Sequence, residues 1–233
     1  MMDKNMLYAA DIKPLLEKNA YNDIRKKLSP QRQIKADSFI FEKDRLLCAA
    51  AGLMLEQGLR DRSIISRDLA YNEYGKPYLS GVQGFHFNIS HSETLAVCAI
   101  SDKPVGADVE IIRHFDDDLC NYVYHESEIG QVKSLCRNSS PDVLFTTLWT
   151  IKESLMKYFG TGLSLHPKEI ELDLNGTITA KCERFDASDL FFTVSQHSGY
   201  VITVCSGYRD FFDSLQFIDI LRNASPCKHN ECS

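Results

Sequence analysis

The chain has 233 residues, 44% hydrophobic and 25% charged, with a formal net charge of −6. That is enough apolar material for one substantial core or two small ones, and the acidic balance argues against a protein that coats nucleic acid. Charges interrupt the N-terminal stretch "MMDKNMLYAADIKPLLEKN" before any apolar run reaches signal-peptide length. No later stretch approaches the roughly 20 apolar residues of a membrane span, so the expectation is a cytoplasmic protein with no membrane and no nucleic-acid partner. Any anionic ligand must then meet a local basic pocket.

In chain order, "MLYAADI" reads as an opening strand. Ser29 followed by Pro30 has the chemistry of an N-cap and first helical position, opening a largely helical region through "IKADSFIFEKDRLLCAAAGLMLEQGL". Tyr74-Gly75-Lys76-Pro77 is a turn. Strands follow at "FHFNIS", "LAVCAIS" and "VGADVEII". Helices are expected from Asp116 to Tyr124, Ser127 to Cys136 and Pro141 to Phe159, then strands at "EIELDL", "TITAKC", "FFTVSQ" and "YVITVCS".

"SHSETLAVCAIS" from Ser90 echoes "QHSGYVITVCSG" from Gln196 with one residue of slippage, both being polar turns that lead into apolar strands. With the order of elements, this suggests an α+β protein of two similar halves meeting near Lys103-Pro104. The expected division is 1–104, 105–225 and a tail at 226–233. No Ser/Gly-rich linker lies at the junction, so the halves should pack closely.

The eight cysteines form no C-x-x-C pair, and six lie in apolar segments where a small buried thiol is the ordinary reading. The tail "CKHNEC", Cys227 to Cys232, lacks four-ligand metal spacing. Free thiols in a reducing compartment are expected.

In "VGADVEII" the strand period puts Asp108 and Glu110 on one face and Val105, Ala107, Val109 and Ile111 on the other. A lone D-x-E is ordinarily a wet acidic face; the sharper reading is a site for a hard divalent cation. In "WTIKESLMKYFGTGL" the apolar row Leu144, Leu148, Ile151, Leu155 leaves Glu153 and Lys157 on another face. Their i, i+4 spacing fits an exposed ion pair, or a cation ligand or general base beside an ammonium that steadies anionic oxygens. Trp149 reads as a packing anchor and "GTGL" as a flexible helix exit. Ser90, His91 and Ser92 stand at a strand end where hydroxyls, an imidazole and loop amides could hold phosphate. Arg32, Lys35 and Lys76 are individually ordinary charges whose significance depends on convergence.

In this order and at these separations, "NISHS", "GADVE" and "WTIKESLMKYFGTGL" resemble the signature of the surfactin-synthetase-type 4′-phosphopantetheinyl transferases. The similarity runs from "LSPQRQIK" through "EYGKP" to the strands after "GLSLHP". The resemblance implies a pseudo-twofold pair of α+β halves with the active site between them. It implies transfer of the phosphopantetheine arm of coenzyme A to a serine of an apo acyl- or peptidyl-carrier protein, releasing 3′,5′-ADP. By motif match, Asp108, Glu110 and Glu153 become ligands of Mg2+, with Mn2+ a possible substitute. Glu153 becomes the group that receives the serine proton, directly or through water, and Lys157 a catalytic cation beside the pyrophosphate. Ser90 and His91 match positions near the nucleotide phosphates, Arg32 and Lys35 contacts to the 3′-phosphate, and Tyr74, Gly75, Lys76 and Pro77 the turn beside adenine. Two halves in one chain suggest a monomer.

Two departures stand out. Many relatives carry a basic or hydroxyl residue near Leu47-Cys48, where Arg45 could substitute, and some carry lysine at the Arg32 position. "IIRHFDDDLCNYVYHE" places Arg113, Phe115 and Tyr122 where they could meet an acidic, partly apolar carrier helix or simply pack in the core. A different class of reading is a non-catalytic module that binds coenzyme A or a carrier on the same fold. A metal-dependent nuclease is poorer, because no broad basic surface accompanies the acids.

Overall fold

The computed structural model describes residues 5–136, 139–209, 211 and 215–220; the "CKHNEC" tail lies outside the described residues. Strand β1 (Asn5–Asp11) alternates, with Met6, Tyr8 and Ala10 in one core and Leu7 and Ala9 in another. Two five-residue helices that no periodicity announces follow, α1 (Lys13–Glu17) and α2 (Tyr21–Arg25). Helix α3 (Pro30–Asp37) starts as expected, with Pro30 in its first turn and the Arg32 amide donating to Ser29 Oγ at 3.4 Å. The helical region does not run on unbroken. The Ser38 hydroxyl bonds back to the Lys35 carbonyl at 2.7 Å where α3 ends, and α4 (Glu42–Asp61) begins only after Phe41.

The remaining elements are β2 (Leu69–Tyr71), β3 (Pro77–Leu79), β4 (His86–Ser92), β5 (Leu95–Ser101), β6 (Val105–Ile111), α5 (Asp117–Val123), α6 (Glu126–Leu135) and α7 (Pro141–Phe159). They continue with β7 (Ile170–Asp173), β8 (Thr179–Cys182), β9 (Phe191–His197), β10 (Tyr200–Ser206) and β11 (Leu215–Phe217). Among the described residues no helix is long and apolar enough to cross a membrane. The six described cysteines are all free thiols.

One sheet has the order β11-β1-β5-β4 and the other β6-β10-β9. The topology repeats: a strand (β1 or β6), a long helix (α4 or α7), a short two-stranded ribbon (β2-β3 or β7-β8) and a hairpin (β4-β5 or β9-β10) whose second strand pairs with the first. The sequence echo lies in the two hairpins. Glu93-Thr94 and Ser198-Gly199 each form a two-residue loop whose first residue has φ 48°. The hairpin registers pair His91 with Ala96 and Gln196 with Val201, which makes His91 and Gln196 equivalent and accounts for the slippage.

Residues 215–220 depart from the expected division. They return to the first half, where β11 runs parallel to β1 and Ile220 enters the core around α4.

The sheets meet face to face. Leu7, Ala9, Leu95, Val97 and Ala99 of one pack with Val105, Ala107, Val109, Ile202 and Val204 of the other, while α4 and α7 have separate cores with the remaining faces. Helix α7 approaches β6 so closely that a Cβ on Gly106 would overlap the Ser154 carbonyl and the Tyr158 backbone. Gly106→Ala is therefore expected to cost about 3 kcal/mol or more in a urea melt, since only backbone, and no flexible side chain, could give way.

Candidate active site

Strands β4 and β6 are facing edges of the two sheets. Phe87 and Ile89 of β4 belong to the core around α4, so Asn88, Ser90 and Ser92 point the other way, towards β6. They satisfy its edge: Asn88 Oδ1 accepts from the Ala107 amide at 2.8 Å and Ser92 Oγ from the Ile111 amide at 3.1 Å. The same hydroxyls hold the two carboxylates. Ser90 donates to Asp108 Oδ1 at 2.8 Å and Ser92 to Glu110 Oε2 at 2.8 Å.

This face of β6 is not the wet acidic surface that a lone D-x-E ordinarily makes. Asp108 is 2% exposed, because bare Gly106 lets α7 lie against the strand. Leu148, Ile151 and Leu155 of α7 sit in the core, which turns Glu153 and Lys157 towards β6. The Lys157 ammonium lies 2.6 Å from Asp108 Oδ1, 2.9 Å from Ser90 Oγ and 3.6 Å from Glu153 Oε2. Three segments distant in sequence thus converge on one ammonium. The helix exits through Gly160, in the left-handed region at φ 72°.

Burial raises the pKa of Glu153, and the charges of Asp108 and Glu110 add to this against the lowering by Lys157. Burial also raises Glu110, reinforced by Asp108, while hydrogen bonds from Ser92 and the Trp149 indole pull it down. For Lys157 burial works against the charge, but Asp108 and Glu153 outweigh it and its pKa rises. The chemistry of this donor set suits a hard divalent cation. Asp108 Oδ2 is buried without a hydrogen-bond partner, a costly arrangement for a carboxylate oxygen unless something else takes it up. Among the described residues no three such side chains already stand in ligating geometry. Lys157 lies among the oxygens that a cation would share.

Beside this cluster lies a cavity of about 1390 Å³, lined by α3, one face of α4, β2, β3 and β4. Arg32, Lys35, Pro77 and His91 line it. Burial and the Lys157 charge lower the His91 pKa. Arg32 lies across Gly52 of α4, with Nη1 at 3.9 Å from Cys48 Sγ, so Cys48 stands beside the guanidinium at the position where many relatives are expected to be polar. Arg45 Nε donates to the Phe39 carbonyl at 2.7 Å, and its guanidinium lies over the Tyr21 ring.

Tyr74, Gly75 and Lys76 do not line the cavity. Lys76 Nζ donates to the carbonyls of Val105 at 3.1 Å and Tyr158 at 3.0 Å, which ties the turn to the other half. Burial pulls the Lys76 pKa down to about 8. Of the two readings of the aromatics, Phe115 takes the core one, packing with Tyr124 and Phe145, whereas Tyr122 is 62% exposed.

Sequence reasoning missed Asn88 and the Trp149 contact. It also missed Lys152, whose Nζ lies 2.7 Å from Glu128 Oε2 with both side chains 0% exposed. A lysine beside Glu153 gives no sign of burial in its spacing. The polar alternation Asn88, Ser90, Ser92 around the apolar Phe87 and Ile89 was a usable signal for the first.

A family model described as the 4′-phosphopantetheinyl transferase superfamily matches residues 104–205. The 4′-phosphopantetheinyl transferase gsp of Aneurinibacillus migulanus is 32% identical over 167 residues, which are 70% of this chain and 69% of that protein. The 4′-phosphopantetheinyl transferase Sfp of Bacillus subtilis (strain 168) is 26% identical over 202 residues, 82% of this chain and 87% of that one. A crystal structure of the Thermotoga maritima holo-[acyl-carrier-protein] synthase gives a TM-score of 0.36 at 20% identity, covering 44% of this chain and 61% of its own, too slight a likeness to inform the site. On the strength of the sequence relatives, the chain belongs to the 4′-phosphopantetheinyl transferase superfamily.

Proposed function

We propose that this protein transfers the 4′-phosphopantetheine arm of coenzyme A to a serine of an apo acyl- or peptidyl-carrier protein, releasing 3′,5′-ADP, with Mg2+ or Mn2+ as the ion. The observation that carries the reading is the convergence of Asp108, Glu153 and Lys157, with Asp108 Oδ2 unpartnered, beside a cavity that Arg32, Lys35 and His91 line.

The serine oxygen attacks the β-phosphorus of coenzyme A, a P–O bond forms, and the bond to 3′,5′-ADP breaks with its electron pair on the leaving phosphate. Lys157, held charged by Asp108 and Glu153, steadies the non-bridging oxygens as charge spreads over them. Glu153 receives the serine proton, directly or through one water. Asp108, Glu110 and Glu153 would hold the ion, which supplies positive charge at the diphosphate. Ser90 and Ser92 fix the carboxylate rotamers. Arg32 and Lys35 meet the 3′-phosphate, with Ser90 and His91 near the nucleotide phosphates. The carrier approaches past Arg113 and the exposed Tyr122. The reading also takes residues 1–104 as the nucleotide half and the chain as a cytoplasmic monomer, supported by a site that both halves of one chain build.

The test is incubation with coenzyme A and several apo-carriers, Mg2+ added or withheld, followed by the intact mass of each carrier. A phosphopantetheine adduct that depends on the ion is expected on at least one carrier. Coenzyme A binding with no adduct on any carrier would instead mark a non-catalytic module.

A further inference from the structure

The β2-β3 ribbon walls the cavity through Leu69, Tyr71, Pro77 and Leu79, yet of these strands only Leu79 is buried. A two-stranded ribbon of this size holds no position by itself. What fixes it is its tip, which is tied to the other half of the molecule. Asn72 organises the turn, accepting the Tyr74 and Lys76 amides on Oδ1 at 3.0 and 2.8 Å, and sends its Nδ2 to the Gly160 carbonyl at 2.9 Å. Lys76 completes the tie through the Val105 and Tyr158 carbonyls, at the start of β6 and in the last turn of α7. Gly160 makes this possible, because a Cβ there would press on Asn72 Nδ2 and the Lys76 stem.

We infer that the Lys76 and Asn72 side chains are positioning groups for coenzyme A: they clamp the cavity wall to the end of α7, next to Lys157, from outside the cavity. The inference rests on the transferase reading for the identity of the ligand, but not for the clamp itself. The side-chain contacts leave the Lys76 amine spent on two carbonyls of the opposite half, where a phosphate ligand would have to be free to turn into the cavity. Because Tyr158 follows Lys157 directly, one clamp sets the distance between the wall on which the nucleotide lies and the ammonium that meets the diphosphate. A loosened wall then lowers affinity for the bound substrate.

The experiment uses Lys76→Met, which keeps the stem on Gly160 and removes the amine, with Asn72→Ala as the second variant should the first fail to fold. Hydrogen exchange of residues 69–79 and calorimetric titration with coenzyme A alone are read beside the kinetics. Ribbon amides are expected to exchange about tenfold faster, and KM and Kd for coenzyme A to rise about tenfold, with kcat within about threefold of the parent. Ribbon exchange equal to the parent's would overturn the inference, and any affinity loss would then make Lys76 a direct ligand. Faster exchange with affinity unchanged, or a loss confined to kcat, would overturn it too. If the parent protein labels no carrier the function fails, while exchange and calorimetry still judge the clamp.

Discussion

Glu153→Gln is expected to slow phosphopantetheine transfer about a thousandfold while coenzyme A affinity stays within about threefold. The amide keeps the size of the side chain, but it neither accepts the serine proton nor offers an anionic oxygen to an ion. Its neighbours explain why the loss is large: Lys157 and Asp108 are already paired at 2.6 Å, leaving Glu153 as the more loosely held carboxylate, at 3.6 Å from that ammonium. Single-turnover labelling followed by carrier mass measures the effect, and a variant within tenfold of the parent would remove Glu153 from the proton-transfer step. The raised proton affinities of Glu153 and Glu110 also give the pH response a sign. The folded state holds these protons more tightly than the unfolded chain, so in the absence of an ion this contribution is present below the usual carboxylate range and is lost as pH rises through the raised pKa values. Added Mg2+ is therefore expected to raise Tm more near about pH 8 than near about pH 5.

Lys152→Met is expected to destabilise the fold by about 3–5 kcal/mol, read as a lowered urea midpoint. The variant leaves the Glu128 carboxylate buried without its cation. Lys152 also donates to the Val123 carbonyl at 3.2 Å and the Pro167 carbonyl at 3.1 Å, so it draws the ends of α5 and the segment before β7 onto α7. A companion Glu128→Leu change should not restore the loss. Glu128 also accepts from the Leu172 amide at 2.9 Å and the His125 amide at 2.8 Å, and an apolar side chain orphans both. Recovery of full stability in the double variant would show that the ion pair matters only as a pair of charges.

Both results turn on features that sequence shows unequally. The alternation in β6 and the i, i+4 spacing of Glu153 and Lys157 were legible because they are local periodicities, and the repeated strand-helix-hairpin order was legible through its two hairpin loops. Whether a carboxylate face is wet or covered is decided by a distant element, and the absence of a side chain at Gly106 is the only local trace of it. Lys76 shows the same limit: its turn is written in Y-G-K-P, but the direction of its amine depends on carbonyls about thirty and eighty residues away. Strand β11 and the ribbon strands beside that turn are three residues each, too short for a period to register.

The most direct measurement is the 31P spectrum of bound coenzyme A as Mn2+ is added. Diphosphate lines that broaden before the 3′-phosphate line in the parent, and that stay sharp at the same Mn2+ level in Asp108→Asn, are the predicted result. Broadening that favours the 3′-phosphate, or that survives the loss of Asp108, would place the ion elsewhere and contradict a site built from β6 and α7.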